Sequence, residues 1–281
     1  MENNTMSPQI SVIVPIFKTK PYIEKCLDSL INQTFRDIEI ICVDDCCPDY
    51  SSQYVNKIKK NDARIKLIRH PWNKGSGGAR NTGILNSSAR LLAFVDSDDF
   101  IEYEMLEKRY AKSLEKNFDI VACGWAQVDT QDRILNRRPL KHPQLLAGHF
   151  FDKVSQHYNI FNITNVACWN KLWKKSLFLQ NKIFFPENVF YEDLATTPRL
   201  VFKASSIVTL EEDYYRYRNN PNSYTNTITA KHILEPIREV LESDESDVIP
   251  CWVLDSRWSA RCGHLNTAWR RSAAAFVTRA I

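Results

Sequence analysis

The run Ile10-Ser11-Val12-Ile13-Val14-Pro15-Ile16 is apolar almost without interruption and rich in β-branched residues, which predicts a strand covered on both faces and halted by its proline. Pro21 then opens a helical pattern that extends to 32, with Ile23, Cys26, Leu27, Leu30 and Ile31 at the spacing of one buried face. The alternation continues with a strand at 38–43, a basic helix at 50–61, a strand at 65–68, a short helix at 79–87 and a strand at 91–95. A helix at 106–116 and a strand at 120–126 follow. Strands alternating with helices predict an α/β fold whose mainly parallel sheet carries helices on both faces. Ligands of such sheets sit outside the carboxyl ends of the strands. Three polar segments fall there and are expected to share one crevice: Asp44 and Asp45, the loop 70–78, and the acidic cluster 96–99.

Beyond 126 the regularity weakens. Residues 127–147 read as an excursion over the surface. Trp169-Asn170-Lys171-Leu172-Trp173 and Phe190-Tyr191-Glu192-Asp193 follow, with a helical stretch at 194–202 and strand-like alternation at 214–218. After Lys231 no lysine occurs, while Arg257, Arg261, Arg270, Arg271 and Arg279 accompany Trp252, Trp258 and Trp269. Two readings of this tail stand side by side: a basic aromatic helix resting on anionic lipid, or an end foreign to the fold. The expected organisation is 1–105 as a ligand-binding half, 106–230 as a second half, and 231–281 as an extension.

Composition narrows the classes. Of 281 residues 44% are hydrophobic and 25% charged, which describes a folded chain. The net charge of +4 is spread along the sequence, so no nucleic-acid partner is expected and anionic small molecules fit better. No apolar run approaches the ~18–20 residues of a membrane span, and residues 1–9 are polar. The expected location is cytoplasmic, at most peripheral to a membrane. Eight cysteines, none in a Cys-x-x-Cys pair, read as free and mostly buried thiols.

The candidate chemistry starts from Phe94-Val95-Asp96-Ser97-Asp98-Asp99. Three carboxylates at a strand mouth repel one another unless water or a cation compensates them. A divalent cation would do so. The plainer alternative is an acidic turn in which Asp98 or Asp99 caps a helix near Tyr103. The loop 73–83, with Gly75, Gly77, Gly78 and Gly83, is not a dinucleotide fingerprint, because Arg80 stands where the third glycine belongs and the loop follows the third strand. It still offers backbone N–H groups, a helix N-terminus and the Arg80 guanidinium to a phosphate.

The ordered set Val12-Ile13-Val14-Pro15-Ile16-Phe17, Val43-Asp44-Asp45 with Asp49 and Ser51, Asn73-x-Gly75 with Ala79-Arg80-Asn81-x-Gly83, and Val95-Asp96-Ser97-Asp98-Asp99 resembles the inverting glycosyltransferases of family 2. The later segments 169–172 and 191–193 are similar to that family's acceptor half, and the likeness covers about residues 10–220. It implies a GT-A fold. Residues 1–105 would bind a UDP-sugar through Pro15, Phe17, Asp44, Asp45, Arg80 and Asp96. Asp96 and Asp98 would form the D-x-D signature holding Mn²⁺ or Mg²⁺, with Asp99 supporting the next helix. Asp193 would be the catalytic base, with Glu192 as the second candidate, and Trp169, Asn170 and Lys171 would meet a saccharide or lipid-linked saccharide acceptor, Trp169 being equally readable as a packing residue. Cys46-Cys47 departs from the glycine and serine common in the family at this turn.

The activity implied is transfer of a hexose or N-acetylhexosamine during synthesis of lipopolysaccharide, capsule or exopolysaccharide, with peripheral contact with the inner face of the cytoplasmic membrane. Two other readings are a nucleotidyltransferase, whose glycine-rich loop would normally follow the first strand, and a catalytically silent nucleotide-sugar or glycan-binding protein.

Overall fold

The computed structural model describes residues 7–140 and 165–221. The expectations for the tail 231–281 and for 141–147 lie outside the described residues. The described chain runs β1 (Ile10–Ile16), α1 (Ile23–Ile31), β2 (Ile38–Asp44), α2 (Ser51–Ile58), β3 (Ile65–Arg69), α3 (Gly75–Asn86) and β4 (Leu91–Phe94). It continues with β5 (Phe100–Ile101), α4 (Met105–Glu115), β6 (Ile120–Val128), β7 (Ile134–Arg138) and β8 (Lys171–Lys174). The remaining elements are α5 (Lys175–Asn181), α6 (Glu192–Lys203) and β9 (Ile207–Arg218).

The strands form one sheet in the order β3-β2-β1-β4-β8-β6-β9-β5, with β7 paired to β6. β3, β2, β1 and β4 are mutually parallel, and β8 is inserted antiparallel between β4 and β6. β6 and β9 are again parallel. The first half is therefore the expected α/β unit, and β8 carries the sheet into the second.

The period of two in each strand divides the core between two faces. Val12, Val14 and Ile16 of β1 pack with Ile23, Cys26, Leu27 and Leu30 of α1 and Met105 and Leu106 of α4. Ile13 points the other way, into a cluster with Ile84 of α3, Leu92 and Phe94 of β4, Trp173, Phe178, and Leu200 and Val201 of α6. Burial on both faces accounts for strand segments without polar alternation.

Two elements differ from the sequence expectation. α3 begins at Gly75, four residues before the predicted 79, because helix propensity penalises the glycines whereas the fold needs them. A Cβ on Gly77 would lie 2.1 Å from the Pro186 carbonyl oxygen, and one on Gly83 would lie 2.3 Å from Ile13 Cγ2. Second, residues 127–140 are not an irregular excursion. β6 runs to Val128, and β7 returns antiparallel to it across a turn in which Asp129 accepts the Gln131 and Arg133 N–H groups at 2.8 and 3.0 Å. Every residue of β7 is exposed, so its sequence lacks the alternation that marks a half-buried strand.

Gly83→Ala should destabilise the protein by about 1–3 kcal/mol, because the β-branched Ile13 in the centre of β1 cannot swing aside. Denaturant unfolding monitored by circular dichroism checks this; an unchanged midpoint would show that α3 and β1 can separate at no cost.

Candidate active site

The parallel strands end together, and their loops build one wall after another. Pro15 and Phe17, at the end of β1, are half-buried. Asp44 closes β2 and is buried; its Oδ1 accepts the Cys47 N–H at 2.9 Å, and Arg69 Nε lies 3.5 Å from its Oδ2. Asp45 is turned to the loop after β3. Its Oδ1 lies 2.7 Å from His70 Nδ1 and accepts the Lys74 N–H at 2.8 Å, while its carbonyl accepts Asn73 Nδ2 at 3.1 Å. His70 Nε2 is 2.8 Å from Thr82 Oγ1, so Asp45, His70 and Thr82 fasten β2, β3 and α3 to one another.

The acidic cluster follows β4 directly. Asp99 is buried and serves as an anchor: Tyr215 Oη donates to its Oδ2 at 2.8 Å, and the Arg218 N–H donates to its Oδ1 at 2.7 Å. It neither caps nor supports the next helix, since β5 intervenes and α4 begins at Met105 without a side-chain cap. Tyr215 Oη also accepts the Asp96 N–H at 3.1 Å. Asp98 accepts Asn220 Nδ2 at 3.0 Å, and its carbonyl accepts Arg218 Nε at 2.8 Å. Burial, then repulsion from neighbouring carboxylates, raises the pKa of Asp98, and the same causes raise Asp99 further. Tyr215, Arg218 and Asn220 escaped the sequence reading. They lie about 120 positions from the carboxylates they hold, and the only local signal was the alternation at 214–218.

Arg80 occupies the centre. It is 4% exposed, one turn into α3, and its two terminal nitrogens engage different halves of the chain: Nη2 donates to Asp96 Oδ1 at 2.6 Å and Nη1 to Glu192 Oε1. Its guanidinium lies over the Phe185 ring, 5.5 Å from the centroid. The sequence expectation of a phosphate donor thus meets an arginine whose terminal nitrogens are committed to carboxylates. Glu192 is buried at the first position of α6, which begins two residues earlier than the predicted 194. Asp193, beside it, is half-buried, and its pKa is raised to about 6. Burial is the main cause; Asp96 adds to it, while Arg80 and Lys171 oppose it.

Trp169, Asn170 and Lys171 are arranged differently from an acceptor platform. Trp169 is 7% exposed and stacks on Tyr215 and Tyr217 with centroids 4.3 and 5.6 Å apart, so its faces are covered by protein. It reaches the site through Tyr215. Asn170 is buried and donates to the Cys123 carbonyl at 3.0 Å. Lys171 is buried as well, and its Nζ donates to the carbonyls of Asn165 and Ala167 at 2.7 Å and to Asn170 Oδ1 at 2.8 Å. Burial lowers its pKa to about 7, against the pull of nearby Asp193. These groups brace the segment before β8 from within.

The chemistry of the site is that of two carboxylate groups on either side of a buried cation. Among the described residues no group of three or more His, Cys, Asp or Glu is placed to hold a metal. Asp96 and Asp98 nevertheless fit a hard divalent ion that takes few protein ligands and completes its shell with ligand and water oxygens. Burial is the main cause of the raised Asp98 pKa, and the smaller share that comes from repulsion by Asp96 is what such an ion would relieve. Among the described residues no helix is long and apolar enough to cross a membrane.

Comparison with known proteins agrees with this geometry. The family model described as Glycosyl transferase family 2 matches residues 11–179. The chain is 35% identical over 225 residues to the uncharacterized glycosyltransferase EpsJ of Bacillus subtilis (strain 168), a match covering 78% of this chain and 64% of EpsJ. It is 34% identical over 214 residues to the poly(ribitol-phosphate) beta-glucosyltransferase of Bacillus spizizenii, covering 74% of this chain and 32% of that enzyme. The crystal structure of S. aureus TarS residues 1–349 in complex with UDP-GlcNAc superimposes with a TM-score of 0.68 at 25% identity, over 85% of this chain and 69% of that one. The strand order, the polar residues gathered at the strand ends and these likenesses converge: the chain belongs to glycosyltransferase family 2 and has the GT-A fold.

Proposed function

We propose that this chain transfers a hexose or N-acetylhexosamine from a UDP-sugar to a saccharide or lipid-linked saccharide acceptor in the synthesis of a cell-surface glycan, with inversion at the anomeric carbon. The donor class is supported by the UDP-GlcNAc held by TarS, and transfer of a hexose to a polymer by the naming of the Bacillus spizizenii relative as a poly(ribitol-phosphate) beta-glucosyltransferase. The observation that carries the mechanism is the division of labour across Arg80. Asp96 and Glu192 are both bound to it, which leaves Asp193 as the carboxylate of the pair at the start of α6 that these two ion pairs do not engage.

Inversion requires one in-line displacement, in which the acceptor hydroxyl attacks the anomeric carbon as the diphosphate departs. Asp193 takes the hydroxyl proton. A carboxylate with an ordinary pKa near ~3.9 is a weak base, and raising it to about 6 brings it closer to the working pH without protonating it there. On the other side of Arg80, Asp96 and Asp98 would hold a divalent cation of the Mn²⁺ or Mg²⁺ class, which when bound supplies positive charge to the leaving diphosphate. Pro15, Phe17 and Asp44 border the place for the nucleoside at the ends of β1 and β2.

Asp193→Asn should reduce transfer by about 10²–10⁴-fold while leaving UDP affinity within about twofold, measured by UDP release with a donor panel and by calorimetry. Retained turnover would remove Asp193 from the role. The pH profile of kcat should have an acid limb near 6, since Asp193 loses its function as the pH falls through its pKa; a limb near ~4 would point to an unperturbed carboxylate. Chelation by EDTA should abolish transfer, and Mn²⁺ or Mg²⁺ should restore it. Full activity in EDTA would exclude a role for the ion.

A further inference from the structure

Three consecutive backbone N–H groups after β1 are each taken by a side chain of the segment from the loop after β2 to the first residue of α2. The Lys18 N–H donates to Cys47 Sγ at 3.0 Å, the Thr19 N–H to Ser51 Oγ at 3.2 Å, and the Lys20 N–H to Asp49 Oδ2 at 2.9 Å. Cys47 and Ser51 pass the interaction on: the thiol donates to Asp49 Oδ1 at 2.7 Å and the hydroxyl at 2.5 Å, while the Ser51 N–H adds a third bond at 3.0 Å. Partial burial would raise the pKa of Asp49, but these hydrogen bonds outweigh it and hold the group down at about 2. The carboxylate is thus a permanent acceptor that gathers both loops.

The backbone around this clasp is unusual. Lys18, Cys46 and Tyr50 have φ values of 55°, 56° and 65° without being glycine. Such conformations persist only where their surroundings over-determine them, and they gather at ligand clamps. The clasp also has an outlet toward the acidic cluster, because Thr19 Oγ1 donates to Ser97 Oγ at 2.9 Å, between Asp96 and Asp98. Thr19 further accepts the Tyr22 and Ile23 N–H groups at 2.8 and 3.0 Å and so starts α1. One hub therefore fixes the three residues that follow Phe17 and, through Thr19, Ser97 itself, at the two ends of the span a nucleoside diphosphate would occupy.

We infer that Cys47, Asp49 and Ser51 form a positioning clasp for donor binding, which sets the Phe17–Lys20 backbone against the Ser97 segment, and that Cys47 acts in it as a side chain that both accepts and donates a hydrogen bond. The inference rests on the UDP-sugar reading above. A serine at position 47 could accept the Lys18 N–H and donate to Asp49 in the same way. A valine, similar in size to cysteine, could do neither.

The test measures UDP binding by calorimetry and donor KM and kcat on the full chain as wild type, Cys47→Ser and Cys47→Val, with thermal unfolding of each without UDP. Cys47→Val should weaken UDP binding and raise donor KM about tenfold, with kcat at saturating donor within about twofold, and Cys47→Ser should restore both. Amide hydrogen exchange should show Lys18, Thr19 and Lys20 losing protection in Cys47→Val alone. Equal UDP affinity in all three proteins would overturn the inference while leaving the donor reading intact. So would a fall in kcat with unchanged KM, or a valine variant that unfolds at lower temperature yet keeps its protection at 18–20. Absence of UDP binding in the wild type would overturn the donor reading and this inference with it.

Discussion

The ion bridge from Asp96 through Arg80 to Glu192 is the constraint on which the site depends. A guanidinium removed from water is tolerable only when paired and hydrogen-bonded, and this one takes its two partners from opposite halves of the chain. Asp96 follows β4, in the half expected to bind the donor. Glu192 is the first residue of α6, so its bond to Arg80 fixes the start of that helix and with it the neighbouring Asp193. Removing the arginine would leave two facing carboxylates without their shared counter-ion. The loss would fall on the relation between the halves more than on either half alone.

α3 is built to deliver that arginine. Gly77 lets the Pro186 backbone come close, and Asn81 clamps Phe185 from both sides, donating to its carbonyl at 2.7 Å and accepting its N–H at 2.9 Å. Phe185 in turn lies under the Arg80 guanidinium. The residues Gly77, Arg80 and Asn81 therefore dock the segment leading to α6 onto α3. On the opposite side Asp99, Tyr215 and Arg218 tie the acidic cluster to β9.

The strands and helices of the first half were legible because buried parallel strands and amphipathic helices leave a periodic record in the sequence. The start of α3 was not, because glycines that permit close packing read locally as a loop. β7 was hidden for the opposite reason, since an exposed strand has no face to mark. The residues proposed to carry the chemistry, Asp96, Asp98, Arg80, Glu192 and Asp193, stand out in the sequence by type and spacing. Their pairings do not: Arg80 and Glu192 stand 112 positions apart, and nothing local joins them. Trp169, Asn170 and Lys171 were misleading because aromatic and amide side chains that could meet a sugar can equally pack on Tyr215 or bond the backbone, and only burial distinguishes the two.

The bridge makes a quantitative claim, that Asp96 and Glu192 act through one arginine and are energetically coupled although each belongs to a different half. A double-mutant cycle on kcat/KM for the donor, with Asp96→Asn, Glu192→Gln and both together, measures that coupling, and repeating it in an Arg80→Gln background isolates the arginine's share. The account predicts effects that depart from additivity by at least about fivefold with Arg80 present and that become additive without it. Additive effects in the presence of Arg80 would contradict it.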